Sequence, residues 1–249
     1  MRDYIIMTDS CCDLSQQEVE ELDLTVLPLS FTIEGKTLLN TPDHADMSPE
    51  EFFAKIAAGA DCTTAAVNVG QFTDAMDGYL VNLSKYVETD NDNQSINILM
   101  QANTNFERIG DHAVNIMEAA QSVAVDKIQL SPDAKAEMDI IKEAVMNITK
   151  MTVEAFDSYH YNLAKKIEPL EQVVDGLVRE VKTRHIARLQ AGVCTIEYGF
   201  VLDDLLTNYE RIADHCSNIA VAMIEVAADK FDTHEYLANV KHGGSVKFE

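Results

Sequence analysis

Two short stretches of the chain pair acids at a spacing that puts both on one face of a helix. Glu107 and Asp111 lie in NFERIGDHAVNI (105–116), and Glu210 and Asp214 lie in NYERIADHCSNI (208–219). Like charges four residues apart destabilise a helix by roughly 0.2–0.5 kcal/mol. Two arrangements offset that cost. One is an ion-pair network of Arg108 with Asp111 and Arg211 with Asp214, with the histidines bonding across helices. The other is a cation held by carboxylates on facing helices, where hard oxygen ligands suit Mg, Mn, Fe or Zn. A cation needs a second helix with acids at the same spacing. EPLEQVVD (168–175) supplies one, because Glu171 and Asp175 are again four apart and Glu168 lies one turn earlier. Facing Glu210 and Asp214, this pair gives four carboxylates in one seam.

His112 and His215 adjoin the aspartates in sequence and so fall about 100° round the helix. That favours a place in a polar core, or behind the ligands, over direct ligation. Asn115 and Asn218 extend the aspartate face and are expected to cap the site. No nucleophile–base constellation stands out. The Gly243-Gly244 pair lies in the tail, not between a strand and a helix, so no phosphate-cradling loop is visible. A non-enzymatic protein is expected.

The elements that must position these residues have two grammars. In residues 1–40, DYIIMTDS reads as a buried strand and LTVLPLSFTIEGKTL as strands turning at EGK. Ser15 with Glu18 forms a capping-box pattern, and Ser48 with Pro49 opens a helix that Gly59 stops. From about residue 72 glycine and proline nearly vanish, and apolar residues recur at helical spacing. Five long helical segments are predicted, at 71–88, 92–123, 131–157, 159–190 and 194–229, with Ser131 capping the third and AGV (191–193) separating the last two. Such helices pack as an antiparallel bundle. Residues 104–116 and 207–219 agree at nine of thirteen positions, which points to an internal duplication.

The formal charge of −23 is spread along the chain, with 15 acids against 3 bases in residues 1–80 and 27 against 16 in residues 81–249. An acidic chain repels phosphate backbones, which argues against nucleic acid. No run of apolar residues is long enough to span a bilayer, and the first residues meet acids too soon for a signal peptide. Five cysteines without a CxxC pair read as reduced thiols of a cytoplasmic protein, Cys216 being a small core residue.

The paired Glu-Arg-Ile-x-Asp-His-x-x-Asn-Ile helices, with EPLEQVVDGL before the second, resemble the PhoU family. FVLDDLLTNYERIADHCSNIAVAMIE followed by FDTHEYL is most similar to the cytoplasmic C-terminal domain of bacterial Na/Pi cotransporters. This resemblance covers about residues 77–240. It implies a fold of two three-helix bundles related by a pseudo-twofold axis and a role in phosphate uptake and its regulation. It also implies metal binding through Glu-x-x-x-Asp pairs, carried here by Glu107 and Asp111 in one unit and by Glu171, Asp175, Glu210 and Asp214 in the other. The implied partner is a phosphate transporter or sensor, which would hold the protein peripheral to the inner membrane, and a homo-oligomer is compatible with the family. The first unit is truncated: its facing acids are expected near Ala66 and Gly70, neither of them a carboxylate.

MTDSCCDLS, LTVLPLSFTIEGKT, SPEEFFAKI and CTTAAVNVGQFTDAM resemble the start of DegV proteins, which bind fatty acids between two α/β lobes. This resemblance covers about residues 1–76 and puts Thr63 and Thr64 beside the expected lipid carboxylate, but the family's second lobe is missing. The sequence therefore predicts a mainly α protein: a DegV-like α/β segment (1–76), a PhoU-like antiparallel helical bundle with its second three-helix unit complete (77–240), and a tail (241–249). A regulatory module of phosphate transport is the leading reading. A fatty-acid carrier and an inactive fusion of two truncated genes are the alternatives.

Overall fold

A computed structural model describes residues 5–125, 128 and 130–227, apart from the side chains of residues 91, 226 and 227. The chain divides into two compact units, residues 1–79 and 80–249.

The first unit is α/β. Strand β1 (Ile6–Asp9) pairs in parallel with β2 (Leu24–Leu27), and helix α1 (Gln16–Glu21) connects them. Strand β3 (Leu29–Ile33) is central to a second sheet, antiparallel to both β4 (Lys36–Asn40) and β5 (Cys62–Ala65). Helix α2 (Pro49–Ala57) lies between β4 and β5 in sequence. The expected caps are present. Ser15 and Glu18 bond reciprocally as a capping box, Ser48 Oγ accepts from Glu51 N–H, and Gly59 takes a φ of +92° after α2. Apolar burial is thin: Ile33 is 2% exposed, whereas Phe53 is 66% and Ile6 and Leu39 are each 41% exposed.

Helix α3 (Val69–Ser84) opens on a second capping box, in which Asn68 Oδ1 accepts from Gln71 N–H and Gln71 Oε1 from Asn68 N–H. It carries the boundary between the units. The second unit continues with α4 (Asp90–Val125), α5 (Pro132–Asp157), the four-residue α6 (Tyr161–Ala164), α7 (Ile167–Gln190) and α8 (Ile196–Ala227). The fourth predicted segment, 159–190, is thus not continuous. Tyr159 adopts a left-handed φ of +51°, and α7 starts afresh with Pro169 in its first turn, where a missing N–H costs nothing. The end of the last predicted segment and the tail lie outside the described residues.

Helix α8 organises this unit, packing against α4 on one side and against α5 and α7 on another. Its sequence carries two buried stripes. Leu202, Leu206, Ala213, Cys216 and Ala220 join the core that Ile141, Val145 and Ile148 of α5 form with Val174 and Val178 of α7. Each fully buried aliphatic side chain contributes about 1.5–3 kcal/mol. The three-helix unit α5–α7–α8 is complete, while α4 has its major packing partner in α8.

Candidate metal centre

The buried positions of α7 are Ile167, Glu168, Glu171, Val174, Val178, Val181 and His185. The same helical repeat that sends Val174 and Val178 into the core therefore sends Glu168 and Glu171 there too. Glu171 is 6% exposed and Glu168 4%. One carboxylate oxygen each of Glu171, Asp175 and Asp214 lie within 4.8 Å of one another. Asp175 Oδ1 is buried without a hydrogen-bond partner. Gln172 Nε2 donates to Glu171 Oε2 at 2.6 Å, and Ser217 Oγ donates to Glu168. Burial, then Asp175 and Glu168, and more weakly Asp214, push the Glu171 carboxyl up to about 7, against the opposing hydrogen bond from Gln172.

Three acids facing one point with one lone oxygen aimed nowhere else form an electrostatically incomplete site. A proton on Glu171 completes it in part. A hard cation completes it further, because it accepts several carboxylate oxygens at about 2.0–2.6 Å. The donor set fits Mg, Mn, Fe or Zn by charge and oxygen chemistry.

Three of the four carboxylates expected in the seam meet. Glu210 is half-buried and lies outside the group. On α4, Asp111 is exposed and Glu107 half-buried, and no converging acid group includes them among the described residues. Arg211 reaches Asp214 at 3.4 Å across an exposed surface, while Arg108 forms no such pair with Asp111 among the described residues. The α8 motif therefore has both compensators within reach of one aspartate.

The two histidines bind across the α4–α8 contact. His112 Nδ1 bonds Asn208 Oδ1 at 2.8 Å, and His215 Nδ1 bonds Asn105 Oδ1 at 2.9 Å. The rings stack with centroids 5.5 Å apart. Asn115 and Asn218 do not cap the acids as expected. Their amides donate instead to Asn208 Oδ1 at 3.1 Å and Asn105 Oδ1 at 3.3 Å. Each amide oxygen thus takes N–H from two residues of the other motif, which fixes the proton of both imidazoles on Nδ1. Burial first, then His112, Arg108 and Arg211, hold the His215 pKa below its usual value.

A second buried cluster gave no signal in the sequence. Arg188 binds Glu137 through two bonds of 2.9 and 2.8 Å, joining α7 to α5 with both side chains largely buried. Beside it His185 packs edge-on to Tyr198 and lies 3.5 Å from Cys194 Sγ. In the first unit Thr63 and Thr64 are exposed on β5, paired with Thr32 and Phe31 of β3.

Residues 4–87 match the model of the family described as "uncharacterised protein, DegV family", and residues 139–223 match the PhoU domain. This chain joins a DegV-family segment to a PhoU domain. The PhoU match includes α6 and α7 entire with most of α5 and α8, and so Glu171, Asp175 and Asp214, whereas Glu107 and Asp111 precede it. The DegV match runs past residue 76 and contains Thr63 and Thr64.

The DegV segment is 39% identical over 72 residues to a DegV domain-containing 15.5 kDa protein of Staphylococcus aureus, covering 29% of this chain and 49% of that protein. The chain is 22% identical over 145 residues to phosphate-specific transport system accessory protein PhoU homolog 1 of Thermotoga maritima, covering 58% of this chain and 61% of that one. It thus spans about half the length of the first relative and somewhat more of the second. PhoU from Pseudomonas aeruginosa superposes with a TM-score of 0.57 at 20% identity, over 71% of this chain and 77% of that one. That likeness establishes the fold of the helical region. No helix among the described residues is long and apolar enough to cross a membrane.

Proposed function

We propose that this chain is a non-enzymatic regulator in phosphate homeostasis, acting through its PhoU domain on a phosphate transporter or sensor. The relative from Thermotoga maritima is named as an accessory protein of a phosphate-specific transport system, which supports the reading. The observation that carries the mechanism is the convergence of Glu171, Asp175 and Asp214, with Asp175 Oδ1 unpartnered. A divalent or trivalent cation there ties α7 to α8 and fixes the surface those helices offer a partner. A cytoplasmic place beside a membrane transporter of the Na/Pi cotransport type fits the same reading, and an oligomer is compatible with it.

The regulatory role is tested in a bacterium that lacks its own PhoU-type regulator and carries a phosphate-starvation reporter. Expression of this chain restores repression in phosphate-rich medium, and the Glu171→Gln/Asp214→Asn variant restores less. No change in the reporter with well-folded protein in the cells would remove the proposal.

A second reading concerns the DegV segment. Its large exposed apolar side chains, Phe53 foremost, are a surface suited to an acyl chain, with Thr63 and Thr64 as hydroxyl donors for a carboxylate. Mass spectrometry of lipid extracted from purified protein tests it. Stoichiometric fatty acid supports a carrier, and a trace amount rejects it.

A further inference from the structure

The turn between α7 and α8 gathers polar groups that neither the acid cluster nor the α4–α8 brace uses. Cys194 lies in it, half-buried and with a free thiol. Its Sγ stands 3.5 Å from His185 Nδ1. Tyr198 follows four residues later, edge-on to the His185 ring. Among the described residues, His185 Nε2, Tyr198 Oη and Arg188 Nε are buried without a hydrogen-bond partner. His185 is 6% and Tyr198 3% exposed, so bulk water does not serve them. Burial pushes the Tyr198 hydroxyl up to about 12, with Arg188 opposing and Cys194 and Glu137 reinforcing, so the hydroxyl is within electrostatic reach of the thiol. Burial first, and then Arg188, lower the His185 pKa against Glu137, which keeps the imidazole uncharged and able to take a proton. A Cβ on Gly199 would stand 2.8 Å from His185 Nε2, so close packing on that side holds Nδ1 toward the sulfur. Buried polar atoms are ordinarily bonded, and three orphans in the cluster around one thiol point to a small polar group that forms beside it.

We propose that Cys194 is a peroxide-sensitive thiol, with His185 as its base and the Tyr198 hydroxyl as the donor that holds the sulfenic acid it forms. The thiol proton passes to His185 Nδ1 as the sulfur attacks one oxygen of hydrogen peroxide. The O–O bond breaks, and its electron pair leaves with the departing hydroxide. That hydroxide takes the proton from His185 and becomes water. The sulfur loses two electrons, the peroxide gains them, and the cysteine carries S–OH. Half-burial admits an oxidant of two heavy atoms and disfavours a bulky disulfide. The new oxygen gives the orphaned Tyr198 hydroxyl an acceptor. Cys216, the other cysteine of the helical unit, is fully buried with its thiol toward Thr149, so it is not placed to trap the sulfenic acid as a disulfide.

Full-length protein treated with hydrogen peroxide in the presence of dimedone, with adducts located by peptide mass spectrometry, tests this. Cys11, exposed and beside Asp9, is the internal reference. Cys194 is labelled several-fold faster than Cys11. His185→Asn slows that labelling several-fold. Tyr198→Phe keeps the ring, leaves thiol consumption unchanged, and shifts the product several-fold toward sulfinic acid. Labelling of Cys194 no faster than Cys11 in the wild type overturns the proposal, and that comparison depends on no variant's folding. An unchanged rate in His185→Asn with native far-UV circular dichroism overturns the role of the base, and an unchanged product ratio in Tyr198→Phe overturns that of the donor. In protein given hydrogen peroxide and glutathione disulfide together, a mixed disulfide that forms faster than the sulfenic acid overturns the choice of oxidant.

Discussion

Asn105 and His215 lie 110 residues apart and bond at 2.9 Å, and Asn208 and His112 repeat the relationship at 2.8 Å in the opposite direction. The duplicated motif is thus the contact between its own two copies. Each copy lends an asparagine oxygen to the histidine of the other, and the two helices cross with their imidazoles stacked.

The two halves of this brace differ in burial, and their mutational costs should differ with it. Asn208 is 5% exposed and also donates to the Asp204 carbonyl at 2.9 Å, whereas Asn105 is only half-buried. Removing a partner from a buried polar group costs about 1–3 kcal/mol. Asn208→Ala should fall in that range in urea denaturation, with Asn105→Ala milder. A double-mutant cycle of Asn208→Ala with His112→Ala should show coupling of about 0.5–1.5 kcal/mol. Additivity within error would mean the bond contributes nothing.

Glu171 makes stability depend on pH. Its folded pKa of about 7 stands above the ordinary glutamate value of 4.5, so the native state binds the proton more tightly than the unfolded chain. The cation-free protein should be most stable, as far as this group decides, below about pH 4.5. It should lose stability as pH rises to about 7, by roughly 3 kcal/mol at most. Glu171→Gln should flatten that slope. Chelator-treated protein melted between pH 5 and 8 checks it, and equal slopes for wild type and variant would reject the assignment.

The Arg188–Glu137 pair should be asymmetric in its response. Its partners are only 14% and 10% exposed. Glu137→Gln leaves a buried guanidinium without its counter-charge and should cost about 3–5 kcal/mol. Replacing both by apolar residues of similar size, Arg188→Met with Glu137→Leu, should cost less than that single change. Thermal melts of the three proteins order them.

Gly199 sits where a side chain has no room. A Cβ there would stand 2.8 Å from His185 Nε2. Gly199→Ala gains up to about 1 kcal/mol of helix propensity but displaces a buried ring, at a typical cost of about 1–3 kcal/mol. We expect net destabilisation and a change in the reactivity of Cys194, whose Sγ lies 3.5 Å from His185 Nδ1. Thiol titration with a chromogenic disulfide reads the second effect.

The helices, their caps and the pairing of EPLEQVVD with the second motif were legible because each rests on local spacing. Ser15, Ser48 and Ser131 cap where the sequence places them. The turn after Asp157 was legible, but the interruption at Lys165 and Lys166 was not, since no glycine marks it and Pro169 falls inside the first turn of α7. The asparagine bonds were hidden for another reason. Asn105 and Asn208 look like helix-surface residues, and only the crossing of α4 over α8 brings a histidine to each. The identity of both asparagines in the duplicated motif was the one available signal. Glu137 and Arg188, 51 residues apart, offered none. In the acid cluster of Glu171, Asp175 and Asp214, spacing revealed which acids share a face but not how far round α8 the seam extends, so Glu210 was expected inside it.

The central claim is that the acids of α7 and α8, and not those of α4, hold the cation. Calorimetric titration of chelator-treated full-length protein with Mn²⁺, with bound metal quantified by mass spectrometry, tests it most directly. The account predicts stoichiometric binding by the wild type and by Glu107→Gln/Asp111→Asn, and at least a tenfold loss of affinity in Glu171→Gln/Asp214→Asn. Equal affinities in all three proteins, or negligible metal in the wild type, would contradict it.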